Sequence, residues 1–232
     1  MKIVTILGDS LSLARSENNI FFKQTYSYLL NEKFNGEYLF LNKSKRGNTT
    51  TDQINLQNIY DDISTTQSDI FIIQIGIVDC APRIISLLEK KIIRIIFTTK
   101  NQNSYVKFKS RYRKFLTKYF PKTYVSLDVF KDNYRYLIDT ILKQSSVKNI
   151  LLINIADTNL NNKKKSFGFE NNIINYNEII KQFSLAFPNK INIIDLHSLS
   201  KDYDNILLED GIHISGCAHV ILANEIEKII LD

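Results

Sequence analysis

Five short apolar runs, each followed by a longer stretch of mixed polarity, constrain this chain more than any other feature. They are Ile3–Leu7, Tyr38–Asn42, Ile70–Ile75, Asn149–Ile155 and Ile191–Leu196. Several are almost wholly apolar rather than alternating, which suits strands covered on both faces in a parallel sheet. Helix-like segments fall between them, at about Asn19–Lys33, Pro82–Phe97, Tyr105–Phe120, Leu127–Gln144 and Asn172–Phe187, with a last one from about Ser215 to Ile230. Pro82 suits a first helical turn. Alternating strands and helices predict an α/β fold, a three-layer α/β/α sandwich on a mostly parallel five-stranded sheet with right-handed crossovers. A chain of 232 residues is long enough for one such core and short for two. With no internal repeat and no Pro/Gly-rich linker, a single domain over residues 1–232 is expected.

Composition excludes several classes. No apolar stretch reaches the 18 or so residues of a membrane span. The start "MKIVTILGDS" reads as a first strand rather than a signal peptide, so a cytoplasmic location is expected. Cys80 and Cys217 form neither a disulfide framework nor a metal-ligand spacing, and no metal is expected. The net charge of +6 is local: Lys100 to Lys122 holds eight Lys or Arg and no acid, while the other 22 basic residues face 24 acidic ones. That distribution argues against a general nucleic-acid-binding surface.

Four polar stretches follow four of the predicted strands. Gly8-Asp9-Ser10 follows the first, "SKRGNTT" with Gly47 the second, "IGIVDCAPR" with Gly76 and Asp79 the third, and "LEDGIHIS" with Asp210 and His213 the fifth. The carboxyl ends of parallel strands are where such sheets place their sites, so all four converge on one edge. Each stretch alone is weak, since G-D-S is commonly a turn. Together they hold a full chemistry. A serine hydroxyl becomes a nucleophile when a base takes its proton, and imidazole is suited to that task. A carboxylate on the other ring nitrogen fixes the tautomer. Asp210, three residues before His213 with Gly211 between them, can meet it directly. Backbone N–H groups of Ser10 and Gly47 can hold an oxyanion. His197 and His219 lack an obvious acid partner and read as structural.

The ordered set Gly8-Asp9-Ser10, Gly47, Gly76-x-x-Asp79 and Asp210-x-x-His213, with the continuation "DGIHISGCAHVILANEI", resembles the SGNH, or GDSL-type, hydrolase superfamily along the whole chain. The resemblance implies a flavodoxin-like sandwich and ester hydrolysis or acyl transfer. It implies Ser10 as nucleophile, His213 as base, Asp210 as its partner, and backbone oxyanion donors at Ser10 and Gly47. The third block departs from the pattern G-x-N-D: Val78 stands where the family carries a donor asparagine. Either the two backbone donors suffice, or Arg83 or Arg46 substitutes, or the fold has outlived its activity. Arg46, Asp79 and Arg83 are therefore candidate oxyanion or substrate contacts.

A basic aromatic helical insertion near residues 103–122 carries Tyr105, Phe108, Tyr112, Phe115 and Tyr119 at spacings of three and four. One reading packs this face on the sheet and solvates the lysines and arginines. The other makes it a cover that attracts an anion, such as an acidic glycan, the phosphates of coenzyme A or a membrane surface in peripheral contact. Lys163-Lys164-Lys165 reads as solvated loop. The expected activity is that of a serine esterase removing a small acyl group, by preference acetyl, from a carbohydrate, with a small molecule or glycan ester as substrate and no cofactor. The alternatives are a carbohydrate O-acyltransferase fed by acyl-coenzyme A and a glycan-binding protein with weak or no catalysis.

Overall fold

The computed structural model describes residues 1–231. Five parallel strands form one sheet: β1 (Lys2–Gly8), β2 (Tyr38–Asn42), β3 (Ile70–Gln74), β4 (Asn149–Ile153) and β5 (Ile191–Ile194), in the order β2-β1-β3-β4-β5. This is the α/β sandwich expected from the alternating pattern, with a flavodoxin-like strand order. All of β3 is buried, and β1 is buried from Val4 onward, so the continuous apolar runs answer to two covered faces. The helices α1 (Tyr26–Phe34), α2 (Thr50–Gln53), α3 (Ile77–Cys80), α4 (Leu87–Ile96), α5 (Thr99–Arg111), α6 (Arg113–Tyr119), α7 (Leu127–Leu142), α8 (Leu160–Lys165), α9 (Phe169–Ala186), α10 (Leu196–Asp202) and α11 (Gly216–Leu231) run between and beyond them. Helix α1 packs with α11 as one layer, and α7 packs with α9 as another.

Three helix boundaries differ from expectation, each for a local reason. The segment from Asn19 makes a single 3₁₀ turn at Phe22–Gln24, after another at Ser16–Asn18. A regular helix starts only at Tyr26, where the Thr25 side chain caps it. The helix expected from Pro82, α4, starts at Leu87 instead, because Ser86 and Glu89 form a reciprocal capping box. The basic segment is two helices, broken at Tyr112.

The aromatic face of that segment does not pack on the sheet. Phe108, Tyr112, Phe115 and Tyr119 are each more than half exposed and contact one another instead, Phe108 with Tyr112 and Phe115 with Tyr119. Both sheet faces are already covered by the long helices, which leaves α5 and α6 no apolar layer to join. Among the described residues no helix is long and apolar enough to cross a membrane.

Candidate active site

The turn that carries Ser10 is built by its neighbours. Gly8 ends β1 opposite Gln74, and a Cβ there would lie 2.6 Å from Ser12 Oγ and 2.8 Å from Ser44 Oγ, so only glycine allows this close approach. Asp9, fully buried, caps a 3₁₀ turn over Ser10–Ser12 by accepting the Leu11 N–H at 2.9 Å. Burial pushes the Asp9 carboxyl up to about 7. Ser12 turns inward, where its hydroxyl donates to Gln74 Oε1 at 2.6 Å and accepts from Tyr26 at 2.9 Å. Of the polar side chains in "GDSLS", Ser10 alone lines the cavity beside His213.

The second half of the site is a self-contained loop. Asp210 Oδ1 accepts the N–H groups of Ile212 and His213, each at 2.9 Å, and Oδ2 accepts His213 Nδ1–H at 2.6 Å. With the Nδ1 proton held by a carboxylate, Nε2 presents its lone pair, and it lies 3.0 Å from Ser10 Oγ. Burial opposes ionisation of Asp210, but the hydrogen bonds from His213 and Ile212 outweigh it and lower its pKa.

A segment that sequence reasoning passed over clamps this loop. The stretch after β4 sends Thr158 Oγ1 to the Gly211 carbonyl (2.7 Å), Asn159 Nδ2 to the Glu209 carbonyl (3.0 Å) and Asn162 Nδ2 to the Asp210 carbonyl (2.7 Å). Gly211 has φ +67°, and a Cβ there would lie 2.3 Å from Asn159 Cγ. The polar run "ADTNLNN" was the available signal: five hydrogen-bonding side chains shortly after a buried strand.

A cavity of about 550 Å³ opens over Ser10 and His213. Its lining includes Gly47, Val78, Arg83, Lys90, Arg113 and Lys165. Among the described residues neither the Ser10 nor the Gly47 N–H has a protein acceptor. Arg83 donates to the Val78 carbonyl at 2.8 Å and lies over the Tyr124 ring at 4.1 Å. Two candidates fall outside the lining. Arg46 donates to the Ala14 carbonyl at 2.7 Å, and Asp79 is fully buried, accepting the Thr50 N–H at 2.9 Å and the Thr50 hydroxyl at 2.5 Å. Asp79 thus ties the β2 loop to α3 rather than facing the cavity, and burial raises its pKa to about 6. The lysine run divides: Lys163 pairs with Asp157 and Glu170, and Lys165 reaches the cavity. His219 is buried and accepts the Tyr26 N–H on Nδ1 at 3.2 Å; burial lowers its pKa to about 4. Among the described residues no cluster of three His, Cys, Asp or Glu side chains could hold a metal ion.

No protein-family model matches the chain, and no curated protein matches it by sequence. Solved structures do match in fold. A lipase/acylhydrolase from Enterococcus faecalis superposes with a TM-score of 0.69 at 16% identity, over 99% of this chain and 95% of that one. The acetyl xylan esterase AlAXEase gives 0.65 at 17%, over 98% and 99%. An acetylxylan esterase from Geobacillus stearothermophilus gives 0.64 at 17%, over 98% and 93%. The chain shares its α/β fold with these proteins over nearly its whole length.

Proposed function

We propose that this protein is a serine ester hydrolase of SGNH type, acting through an acyl-enzyme on Ser10 and removing a small acyl group, in the first instance acetyl, from a carbohydrate. The observation that carries the reading is the unbroken relay of Asp210 carboxylate, His213 imidazole and Ser10 hydroxyl at 2.6 and 3.0 Å, opening into a cavity. The acetyl and carbohydrate parts draw on the fold neighbours that are described as acetyl xylan esterases.

In this reading Ser10 Oγ bonds to the ester carbonyl carbon as His213 Nε2 takes its proton. The oxygen of the tetrahedral adduct turns to the free N–H groups of Ser10 and Gly47. Collapse breaks the bond to the alcohol oxygen, which leaves with the proton from His213. Water then attacks the acyl-enzyme by the same proton route and releases the carboxylic acid. Asp210, ionised through its lowered pKa, holds the tautomer and stabilises the transient imidazolium. Val78 offers no amide to the oxyanion, so the two backbone donors carry it. A fluorophosphonate probe tests the reading: it should label Ser10, as located by mass spectrometry, and block hydrolysis of 4-nitrophenyl acetate and of acetylated xylo-oligosaccharide. Absence of label at Ser10, with equal hydrolysis by Ser10→Ala, would overturn it.

A further inference from the structure

The cavity beside Ser10 is charged on one side only. Its lining includes Arg83, Lys90, Arg113 and Lys165 and no carboxylate. Nearby lysines do find acids: Lys109 pairs with Glu89, and Lys163 with Asp157 and Glu170. The two arginines do not. Among the described residues neither Arg83 nor Arg113 forms an ion pair, although both are partly buried. Each is instead held by neutral acceptors. Arg83 Nη2 donates to the Val78 carbonyl, its plane lies against Tyr124, and its Nε is buried without a partner. Arg113 donates from Nη2 to the Pro82 carbonyl at 2.9 Å and from Nε to Ser166 Oγ at 2.6 Å. Taking two cations out of water without a counter-charge is costly. Burial, and then the charge of Arg83, lowers the pKa of Arg113.

Two guanidinium groups fixed in orientation, partly dried and left without an acid are suited to binding an anion. Their planar forks match carboxylate and phosphate oxygens, and the backbone anchors remove much of the ordering cost of binding. We propose that the ester cleaved at Ser10 is an ester of an acidic sugar, whose alcohol half carries a carboxylate or phosphate seated against Arg83 and Arg113, with Lys90 and Lys165 at the rim. This rests on the esterase reading above and names its substrate class. The competing role for Arg83 is to stand in for the donor missing at Val78. That role would touch every ester alike, whereas recognition of an anion touches only charged ones.

The test compares kcat/KM on three monoacetylated sugars: glucose, glucuronate and glucose 6-phosphate. The wild type should prefer at least one of the two anionic esters over the neutral one by at least 10-fold at low salt, and which one tells carboxylate from phosphate. Arg83→Gln and Arg113→Gln should each bring that ratio towards one, mainly through KM, and Arg113→Lys should keep part of it. A wild-type ratio near one, or a ratio that survives both glutamine variants, would overturn the proposal. Equal losses on neutral and anionic esters in Arg83→Gln would assign that residue to the oxyanion instead and overturn its part in anion binding. Calorimetry on Ser10→Ala with glucuronate, glucose 6-phosphate and glucose reads binding without turnover: heat from an anionic sugar alone supports the proposal, and equal or absent heats count against it. If the wild type cleaves no ester, including 4-nitrophenyl acetate, the esterase reading fails, and the calorimetry still decides whether the cavity takes an anion.

Discussion

The strand-end site and the α4–α6 segment handle polarity in opposite ways. At the candidate site, side chains of the motif turn inward around the Ser10 turn: Asp9, Ser12 and Asp79 are all buried, each with a hydrogen-bond partner. Along α4–α6 Ile93 is buried but most other apolar side chains turn outward, with Leu88, Ile95 and Ile96 each about two-thirds exposed or more and Phe108 and Phe115 more than half. The site depends on contacts within a few residues of chain or between strand ends, so its parts cannot move singly. Helices α4 and α5 depend on their own capping and pairing, such as the Ser86–Glu89 box and the Glu89–Lys109 ion pair, while α6 is tied outward through Arg113 to Pro82 and Ser166. The lesson is that the candidate site fixes its geometry with buried polar groups, at a cost visible in the raised pKa values of Asp9 and Asp79, whereas α4–α6 leaves much of its apolar surface in water.

The sharpest break between the two regions is catalytic. Ser10→Ala and His213→Ala should each lower turnover by about 10⁵- to 10⁶-fold, since members of such a relay act as a unit. Asp210→Asn should lower it by about 10⁴-fold through the wrong tautomer. Thermal unfolding of all three should stay near wild type. Charge-reversing Arg111→Glu in α5 should leave 4-nitrophenyl acetate turnover within twofold. A comparable loss from the α5 change would mean that the segment belongs to the catalytic machinery.

The geometry of the candidate site was legible in the sequence because it is mostly local. Asp210, Gly211 and His213 form a loop that closes on itself, and Gly8-Asp9-Ser10 forms a capped turn. Short-range chemistry fixes both, and the α/β alternation brings them to one sheet edge. Arg113 and the Thr158–Asn162 clamp were not legible as site residues. They reach it from α6 and from beyond β4, through crossovers whose docking no spacing encodes. The aromatic stripe of α5 and α6 misled for a related reason: a period of three and four marks a helix face, but not whether any layer is left to cover it.

Val78→Asn sharpens the site's side of the comparison. An amide aimed at the reacting carbonyl should raise kcat by up to about 10²-fold with little change in KM, because the donor serves charge that develops in the transition state. An unchanged kcat in a folded variant, together with unchanged turnover of neutral esters in Arg83→Gln, would mean that the two backbone donors already suffice.

Stability should separate the regions next. Phe71→Ala in buried β3 should cost about 3–5 kcal/mol, whereas Ile95→Ser, at a position 84% exposed, should change stability by no more than about 0.5 kcal/mol. Urea denaturation of both variants checks the pair. A loss above about 1.5 kcal/mol for Ile95→Ser would show that α4 is held by contacts its exposure conceals.

The finest-grained contrast is a pair of opposite pH slopes. Asp9 is buried, and its folded-state pKa is raised from 3.8 to about 7 by burial, with a further push from Asp79. Between those values the folded protein holds the proton that the unfolded chain has lost. The stability contributed by Asp9 therefore falls as pH rises from about 4 to about 7 and is level above that. Asparagine keeps the acceptor for the Leu11 N–H and has no proton to lose. The difference between Asp9→Asn and wild type should thus move in favour of the variant from pH 4.5 to pH 7.5. Glu89, in α4, runs the other way. Burial is the largest single influence and disfavours its charge, but the Lys109 ammonium and the Tyr105 hydroxyl, the latter at 2.6 Å, together override it and lower its pKa below 4.5. Its contribution is present above the unfolded value and is lost as pH falls through the folded one, so the cost of Glu89→Gln should shrink on acidification and hold steady from pH 5.5 to 7.5. Taking differences from wild type removes His219, whose pKa, lowered from 6.5 to about 4, gives every variant the same loss of stability between those values as pH falls. If both differences ran parallel with pH, the two carboxylates would be sensing the same surroundings. The contrast between a buried polar site and a solvated helical segment would then fail at the level of single protons.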